Sequence, residues 1–293
     1  MTQSIEIRRV LRRVRGGSQA FLAEGADGQY YVAKFQGNPQ GTRTLVNEWI
    51  GWRIFQRLGI TTPELRVLRL TESLRDRLPE LYFSVGRKTV AVLPGRHLGS
   101  RCPCDPETTA IYDVLPNKFL ARAANLSDFA KAFVVDHLLG NSDSRQAVFV
   151  RPRGESAFQA YLIDHGMLFG GSEWTIRDSP RAAVYFDRTV YSAVDMAAVC
   201  GEAIAALKTV EQKDLHSAVA ELPGDWLTAD DYRALHGLFR EVLRRQTDAE
   251  AIIARHLKEL RLDSGFERTR PEGITLTEAP EPPPVLPILP ATC

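Results

Sequence analysis

Four side chains carry the chemistry that can be read from this sequence: Lys34, Glu48, Asp143 and Asp164, in that order. Lys34 lies in YYVAKFQ, where strand alternation puts Tyr30, Val32 and Lys34 on one face and Tyr31, Ala33 and Phe35 on the other. A lysine sharing a face with strand apolars calls for an anion. Glu48, just downstream, is a candidate partner, and the pair could hold a nucleotide phosphate. Taken alone, the two also read as an edge-strand lysine reaching solvent and a glutamate on a solvated helix face. Asp143 sits in GNSDSRQ (140–146), a polar loop between two apolar elements. An aspartate there can accept or orient a hydroxyl proton, Arg145 can balance charge, and the carboxamide of Gln146 can coordinate a cation. The alternative is an Asn/Asp turn capped by its own side chains. Asp164 ends AYLID and precedes His165-Gly166, which places a carboxylate at the end of a buried strand or, equally, at a capped turn. A lysine–glutamate pair in a β-rich region, a loop aspartate and a second aspartate one short hairpin later is the order used by phosphoryl transfer. That chemistry is mainly positioning plus charge neutralisation.

A fifth segment, Arg15-Gly16-Gly17-Ser18-Gln19, lies between two strand-like runs. Its glycine pair allows close approach of backbone amides to an anion, although a plain hairpin turn has the same composition.

The elements that must position these residues fall into two textures. Over the first ninety or so residues, IEIRRVLRRV alternates as a strand, AFLAEG and YYVAKF flank an Asp27-Gly28 turn, and YFSV and TVAVL follow. This predicts a small antiparallel sheet, interrupted by a helix over 44–58 that ends at Gly59. From about Pro94, LPGRHLGSRCPCDPE reads as a linker, and the seam is placed there. Beyond it NLSDFAKAFVVDHLLGN predicts a buried helix with Phe129, Phe133, Val134 and Leu138 on one face. The short strands AVFV and AYLID and several helices between Val190 and Leu262 follow. The expected organisation is α+β and two-lobed: a β-rich N-lobe with one helix over 1–94, a mainly helical C-lobe over 95–265, and a Pro-rich disordered tail over 266–293.

Composition sets the outer limits. The chain has 293 residues, a formal charge of +1, 44% hydrophobic and 25% charged residues, so neither disorder nor a polycation is indicated. No apolar run reaches the roughly 18 to 20 residues of a membrane span, and the N-terminus has no signal-peptide character, so a cytoplasmic protein with no membrane partner is expected. Cys102 and Cys104 are too close for a Cys-x-x-Cys knuckle, and with Cys200 and Cys293 they are expected to be free thiols. Arg8, Arg9, Arg12, Arg13 and Arg15 form a basic cluster. Alternation places several on a solvated face and the whole chain is near neutral, which argues against nucleic acid as a partner. His137 is expected to be a hydrogen-bonded core histidine, and Trp49, Trp52, Trp174 and Trp226 packing aromatics.

The ordered set GGSQ, YYVAKFQGNPQG, NEWIGWRIFQRLGI, HLLGNSDSRQAVF and YLIDHGMLF resembles the HipA-like kinases, in particular stand-alone HipA-like kinase-domain proteins. The likeness spans roughly residues 5 to 245, including DSP near Asp178 and LPGDW around Trp226. It implies a protein-kinase-like fold and an ATP- and Mg2+-dependent transfer of phosphate to a hydroxyl acceptor, on a protein Ser/Thr or a small molecule. In that family's terms Lys34 holds the α/β phosphates, Glu48 fixes Lys34, and Gly16, Gly17, Ser18 and Gln19 cover the phosphates. Asp143 is the catalytic-loop aspartate and Asp164 the magnesium ligand. The pattern departs at the second metal ligand. The family's asparagine, five residues after the catalytic aspartate, corresponds to Val148, and Gln146 is the nearest carboxamide. A glutamine supplies the same carbonyl oxygen with one more methylene of reach. The departure leaves a pseudokinase, a nucleotide- or protein-binding regulatory module, as the alternative.

Overall fold

The computed structural model describes residues 3–178 and 182–263, with side chains to residue 260. The Pro-rich tail expected over 266–293, Cys293, and Ser179 and Pro180 of the DSP motif lie outside the described residues.

Strands β1 (Ile5–Arg13), β2 (Phe21–Gly25), β3 (Tyr30–Lys34), β4 (Leu65–Leu70) and β7 (Gly95–Arg101) form a closed barrel in the order β1-β2-β3-β7-β4. β5 (Tyr82–Val85) and β6 (Lys88–Ala91) form a separate hairpin. Helices α1 (Thr42–Arg57) and α2 (Glu72–Asp76) complete the first lobe. The second lobe holds α3 (Asn117–Leu120), α4 (Ser127–Leu138), the hairpin β8 (Gln146–Val150) and β9 (Gln159–Ile163), α5 (Thr189–Ser192), α6 (Met196–Leu207), α7 (Gln212–Ala220), α8 (Ala229–Thr247) and α9 (Ala249–Asp263).

Side-chain alternation explains the barrel. Tyr31, Ala33 and Phe35 point into a small core with Ile7, Phe21, Leu68 and Phe83, while Leu98 and Val67 face α1 and the larger core shared with the second lobe. Lys34 is paired with Leu98 across β3 and β7, so it lies on that second face, as the alternation required. The β2–β3 turn forms where expected. Gly28 takes φ +73°, and Asp27 accepts from the Gln29 amide and the Tyr31 hydroxyl.

Two expectations are corrected. The segment taken as a linker contains β7, which is hydrogen-bonded to β3 on one side and β4 on the other, so the sheet runs on to Arg101. Its glycines hid it. A Cβ on Gly99 would stand 2.6 Å from the Leu68 side chain, so any larger residue there must displace buried Leu68. The small antiparallel sheet is instead a barrel, closed by a parallel contact of β1 with β4. YFSV and TVAVL supply the separate hairpin. β4 was not anticipated, because LRVLRL buries its residues in the order in-out-in-in-out-in and so lacks strict alternation.

α1 begins at Thr42 and ends before Gly59, which turns the chain at φ +63°. α4 is buried on nearly every side, well beyond the one face expected, and all four tryptophans lie in the core. Cys102, Cys104 and Cys200 are free thiols. Among the described residues no helix is long and apolar enough to cross a membrane.

Candidate active site

The structure brings Lys34, Glu48 and Asp164 to one point between the lobes. The Lys34 ammonium lies 3.0 Å from Glu48 Oε2 and 3.0 Å from Asp164 Oδ1. Three elements deliver these groups: the end of β3, the second turn of α1 and the residue after β9. Burial works against the Lys34 charge, but the two carboxylates outweigh it and hold the ammonium well above its ordinary value. Lys34 in turn pulls Asp164 below the usual carboxylate range. Glu48 is pushed up by its own burial, against the pull of Lys34. Two carboxylates against one cation leave the cluster with an excess negative charge.

Asp164 takes φ +61°, a left-handed conformation that aspartate tolerates better than most residues, and it opens an irregular segment over 164–174, a coil whose Leu168–Glu173 part is 3-10 helix broken by a kink at Phe169–Gly171. Asp143 is exposed, with its amide bonded to Asn141 Oδ1 and its Oδ1 accepting from the Ser144 amide. That is the self-capped Asx turn read as the alternative, and it leaves the carboxylate at the surface. The loop over 140–146 is joined to the 164–174 coil by Ser142, whose amide bonds to Met167 O. Gln146 opens β8 and pairs with Ile163, next to Asp164, whereas Val148 pairs with Tyr161, two residues further from Asp164. Gln146 thus occupies the rung beside Asp164.

Arg145 balances charge, as expected, since it helps to hold Asp164 down, but it does so from the core and not from the loop surface. It is buried and clamps Asp136 of α4 through Nε (2.7 Å) and Nη2, while Nη1 donates to Ile163 O at 2.7 Å. Nη1 also reaches His165 Nδ1 at 3.3 Å, so that nitrogen accepts and Nε2 carries the proton donated to Thr62 Oγ1. Burial, together with the positive charges of Arg145 and Lys34, holds His165 well below its ordinary value and therefore neutral.

The Gly16–Gln19 turn joins β1 to β2. Gly17 packs against the Gln40 side chain, just ahead of α1, and Ser18 is buried. The Gln19 side chain is committed to protein partners. Its amide bonds the Ser84 backbone at both ends, Nε2 to O (2.7 Å) and Oε1 to N (2.8 Å), and Oε1 also takes Arg13. The side chain thus ties the turn to the β5–β6 hairpin, and only the Gly16–Ser18 part of the turn is left for a ligand. The basic cluster on β1 is exposed, as expected, with Arg8 and Arg9 paired to Glu24 and Arg13 bonded to Tyr82 O. His137 is a core residue, its Nδ1 2.8 Å from Phe133 O. A cavity of about 510 Å³ lies beside the connection between the lobes, lined by Tyr30, Arg101, Cys102, Cys104 and Tyr161. Its wall includes none of Lys34, Glu48, Asp143 or Asp164.

Asn47 was missed. It is fully buried on α1 beside Glu48, and its amide is inserted into the 164–174 coil. The available signal was an asparagine in the middle of a helix with no cap to make, a position that asparagine disfavours.

With strands gathered in the first lobe and helices in the second, these side chains form the cleft of a two-lobed, kinase-type protein. Residues 7–91 match the family described as HipA-like kinase, so the resemblance is borne out over the first lobe, and the two-lobed α+β arrangement is the protein-kinase-like fold expected. Among solved structures the chain is similar to the Golgi casein kinase, at 14% identity over 88% of this chain and 72% of that one, with a TM-score of 0.49. It is similar to the Golgi casein kinase with Mn/ADP bound at 16% identity, 88% and 73% coverage and a TM-score of 0.48. It is also similar to the Helicobacter pylori proinflammatory kinase CtkA, at 14% identity, 91% and 100% coverage and a TM-score of 0.47. No curated protein matches the chain.

Proposed function

We propose that the chain is an ATP- and Mg2+-dependent phosphotransferase acting on a hydroxyl acceptor. The observation that carries this reading is the convergence of Lys34, Glu48 and Asp164 within 3.0 Å contacts across 130 residues of sequence. Lys34, held by Glu48, neutralises the α/β phosphates of ATP, and the amides of Gly16, Gly17 and Ser18 cover them. Asp143 accepts the proton of the acceptor hydroxyl as its oxygen bonds to the γ-phosphorus and the bond from that phosphorus to the β-γ bridging oxygen breaks, releasing ADP.

The donor set fits a divalent cation that arrives with the nucleotide. Among the described residues no group of three His, Cys, Asp or Glu could hold a metal by itself. The excess negative charge at Asp164 and Glu48, with Gln146 on the neighbouring rung, supplies the one or two oxygen ligands that Mg2+ combines with substrate phosphates. When bound, the cation neutralises developing charge on the β/γ oxygens.

Calorimetric titration of ATP with and without Mg2+, beside Asp164→Asn, tests this reading. Binding that needs both Mg2+ and Asp164 is expected, and no binding under any condition would refute it. A second reading, a pseudokinase that binds nucleotide or a protein partner without turnover, is favoured by Val148 at the usual asparagine position. Gln146→Ala decides between them. It should raise the Mg2+ requirement of phosphate transfer if Gln146 is a working ligand, and should change nothing in a vestigial site. The acceptor is a protein Ser/Thr hydroxyl or a small-molecule alcohol, and the soluble cytoplasm is the compartment that fits the composition.

A further inference from the structure

Asn47 and Glu48 are consecutive on α1 and reach into different lobes. Glu48 meets Lys34 of the barrel. Asn47 Nδ2 lies 2.9 Å from Gly166 O, 3.0 Å from Leu168 O and 3.0 Å from Gly171 O, so three carbonyls of the coil after Asp164 converge on one amide nitrogen. Its Oδ1 accepts the Trp174 indole N–H at 2.7 Å, which fixes the amide with its donors toward the carbonyls. The coil wraps this side chain at a conformational cost borne by two bulky residues: Phe169 and Trp174 have φ of +61° and +50°, with Gly170 and Gly171 between them at +74° and +67°, which glycine adopts freely. Trp174 is held from outside by Arg43, whose guanidinium lies 4.4 Å from the ring centroid and whose Nη1 donates to Ser172 O. Arg43 is also on α1 and reaches Asp231 of α8.

We propose that Asn47 is a positioning residue that makes the Lys34–Glu48 pair and the Asp164 coil a single mechanical unit carried by α1. The coil has little else at its centre. Its own backbone bonds are few: Leu168 N to His165 O closes one turn inside it, and Phe169 N to Leu139 O, Gly170 N to Gly140 O and Ser142 N to Met167 O tie it to the chain that follows α4. With Asn47 in place, Asp164 and Glu48 are set by one helix, so a displacement of α1 that breaks the Lys34 pair also releases the metal aspartate. Asn47 touches neither nucleotide nor acceptor and acts through Asp164.

Two measurements on Asn47→Ala test this. The first rests on the phosphotransferase reading: the Mg2+ concentration for half-maximal nucleotide binding should rise about 10- to 100-fold, the range for losing an outer-shell partner of a metal ligand, with Mg2+-free affinity unchanged. The second does not rest on it: amide hydrogen exchange over 166–174 in the ligand-free protein should quicken about tenfold or more, while the centre of α1 stays protected. Leu70→Ala, a cavity in the separate small core of the barrel, which contains no residue of α1 or of the coil, provides a variant of lowered stability in which neither quantity should move. Trp174→Phe removes the indole donor, with some of the ring under Arg43, but leaves the Asn47 donors in place; it should shift both quantities in the same direction by less, and it serves if Asn47→Ala does not fold. Unchanged exchange over 166–174 in a folded variant overturns the proposal, as does an unchanged Mg2+ requirement. If the wild type binds no nucleotide, the phosphotransferase reading fails and the exchange measurement decides the role of Asn47 by itself.

Discussion

Replacing Arg145 with methionine tests how the loop that carries Asp143 is anchored. The Arg145 and Asp136 side chains are 1% and 0% exposed, and methionine fills the volume without the charge. The substitution removes the two-pronged contact to Asp136 and the bond to Ile163 O, and leaves Asp136 only the Asn141 amide at 3.1 Å. Removing one partner of a buried pair costs about 3–5 kcal/mol, and an unsatisfied carbonyl about 1–3 kcal/mol. Because these losses overlap, the expected total is about 4–6 kcal/mol, a large part of the roughly 5–15 kcal/mol that holds a protein folded. Burial already pushes the Asp136 carboxyl up, and without its cation it will take up a proton in the folded state. A folded pKa above the unfolded one adds stability at low pH that is lost as pH rises, so the deficit relative to wild type should narrow on acidification. The upper limit is about 1.4 kcal/mol per pH unit. Urea unfolding of both proteins at pH 7.5 and 5.5 measures this. A deficit under about 1 kcal/mol, or one that does not change with pH, would refute the argument, and Asp136→Asn added to Arg145→Met should recover much of the loss.

Gly51→Ala places a Cβ 2.5 Å from Leu168 Cδ1 and 2.8 Å from His165 Cβ, so thermal unfolding should show a loss of about 1–3 kcal/mol by overpacking. Burial and the neighbouring His256 hold His137 down at about 3, and burial lowers His256 and His165 as well. Depressed folded values mean that the unfolded chain binds more protons below its histidine pKa of about 6.5. The urea midpoint should therefore fall steadily from pH 7 toward pH 4, and His137→Phe should flatten that slope. Gln19→Ala should quicken amide exchange in the Tyr82–Ala91 hairpin and change nucleotide affinity by less than about twofold, since the side chain is spent on Ser84.

Much of this was legible in the sequence because alternation and helical spacing report burial directly. The face of β3 that carries Lys34 followed from Tyr31, Ala33 and Phe35, and the turn at Asp27-Gly28 and the stop at Gly59 from residue chemistry. Other features were set by partners distant in sequence. β7 carries Gly99 where Leu68 packs against the backbone, so the reason for that glycine is visible only beside Leu68. Gln19 and Arg145 are polar residues in polar loops, and nothing local distinguishes a side chain free for a ligand from one committed to Ser84 or Asp136. Asn47 is the instructive omission: its position in a buried helix was visible, but its purpose depends on a coil more than a hundred residues away.

The barrel is closed by a short parallel contact in which Ile5 and Glu6 meet Leu68 and Arg69. Because a closed sheet has no free edge, this contact is what keeps the backbone of β4 from presenting an unpaired ladder to other chains. Shortening the chain past Ile7 would convert a sealed surface into an adhesive one, with β4 able to recruit a strand from another molecule. Self-association of a trimmed form, seen as a concentration-dependent shift in sedimentation, would then report on the first strand instead of on any docking site.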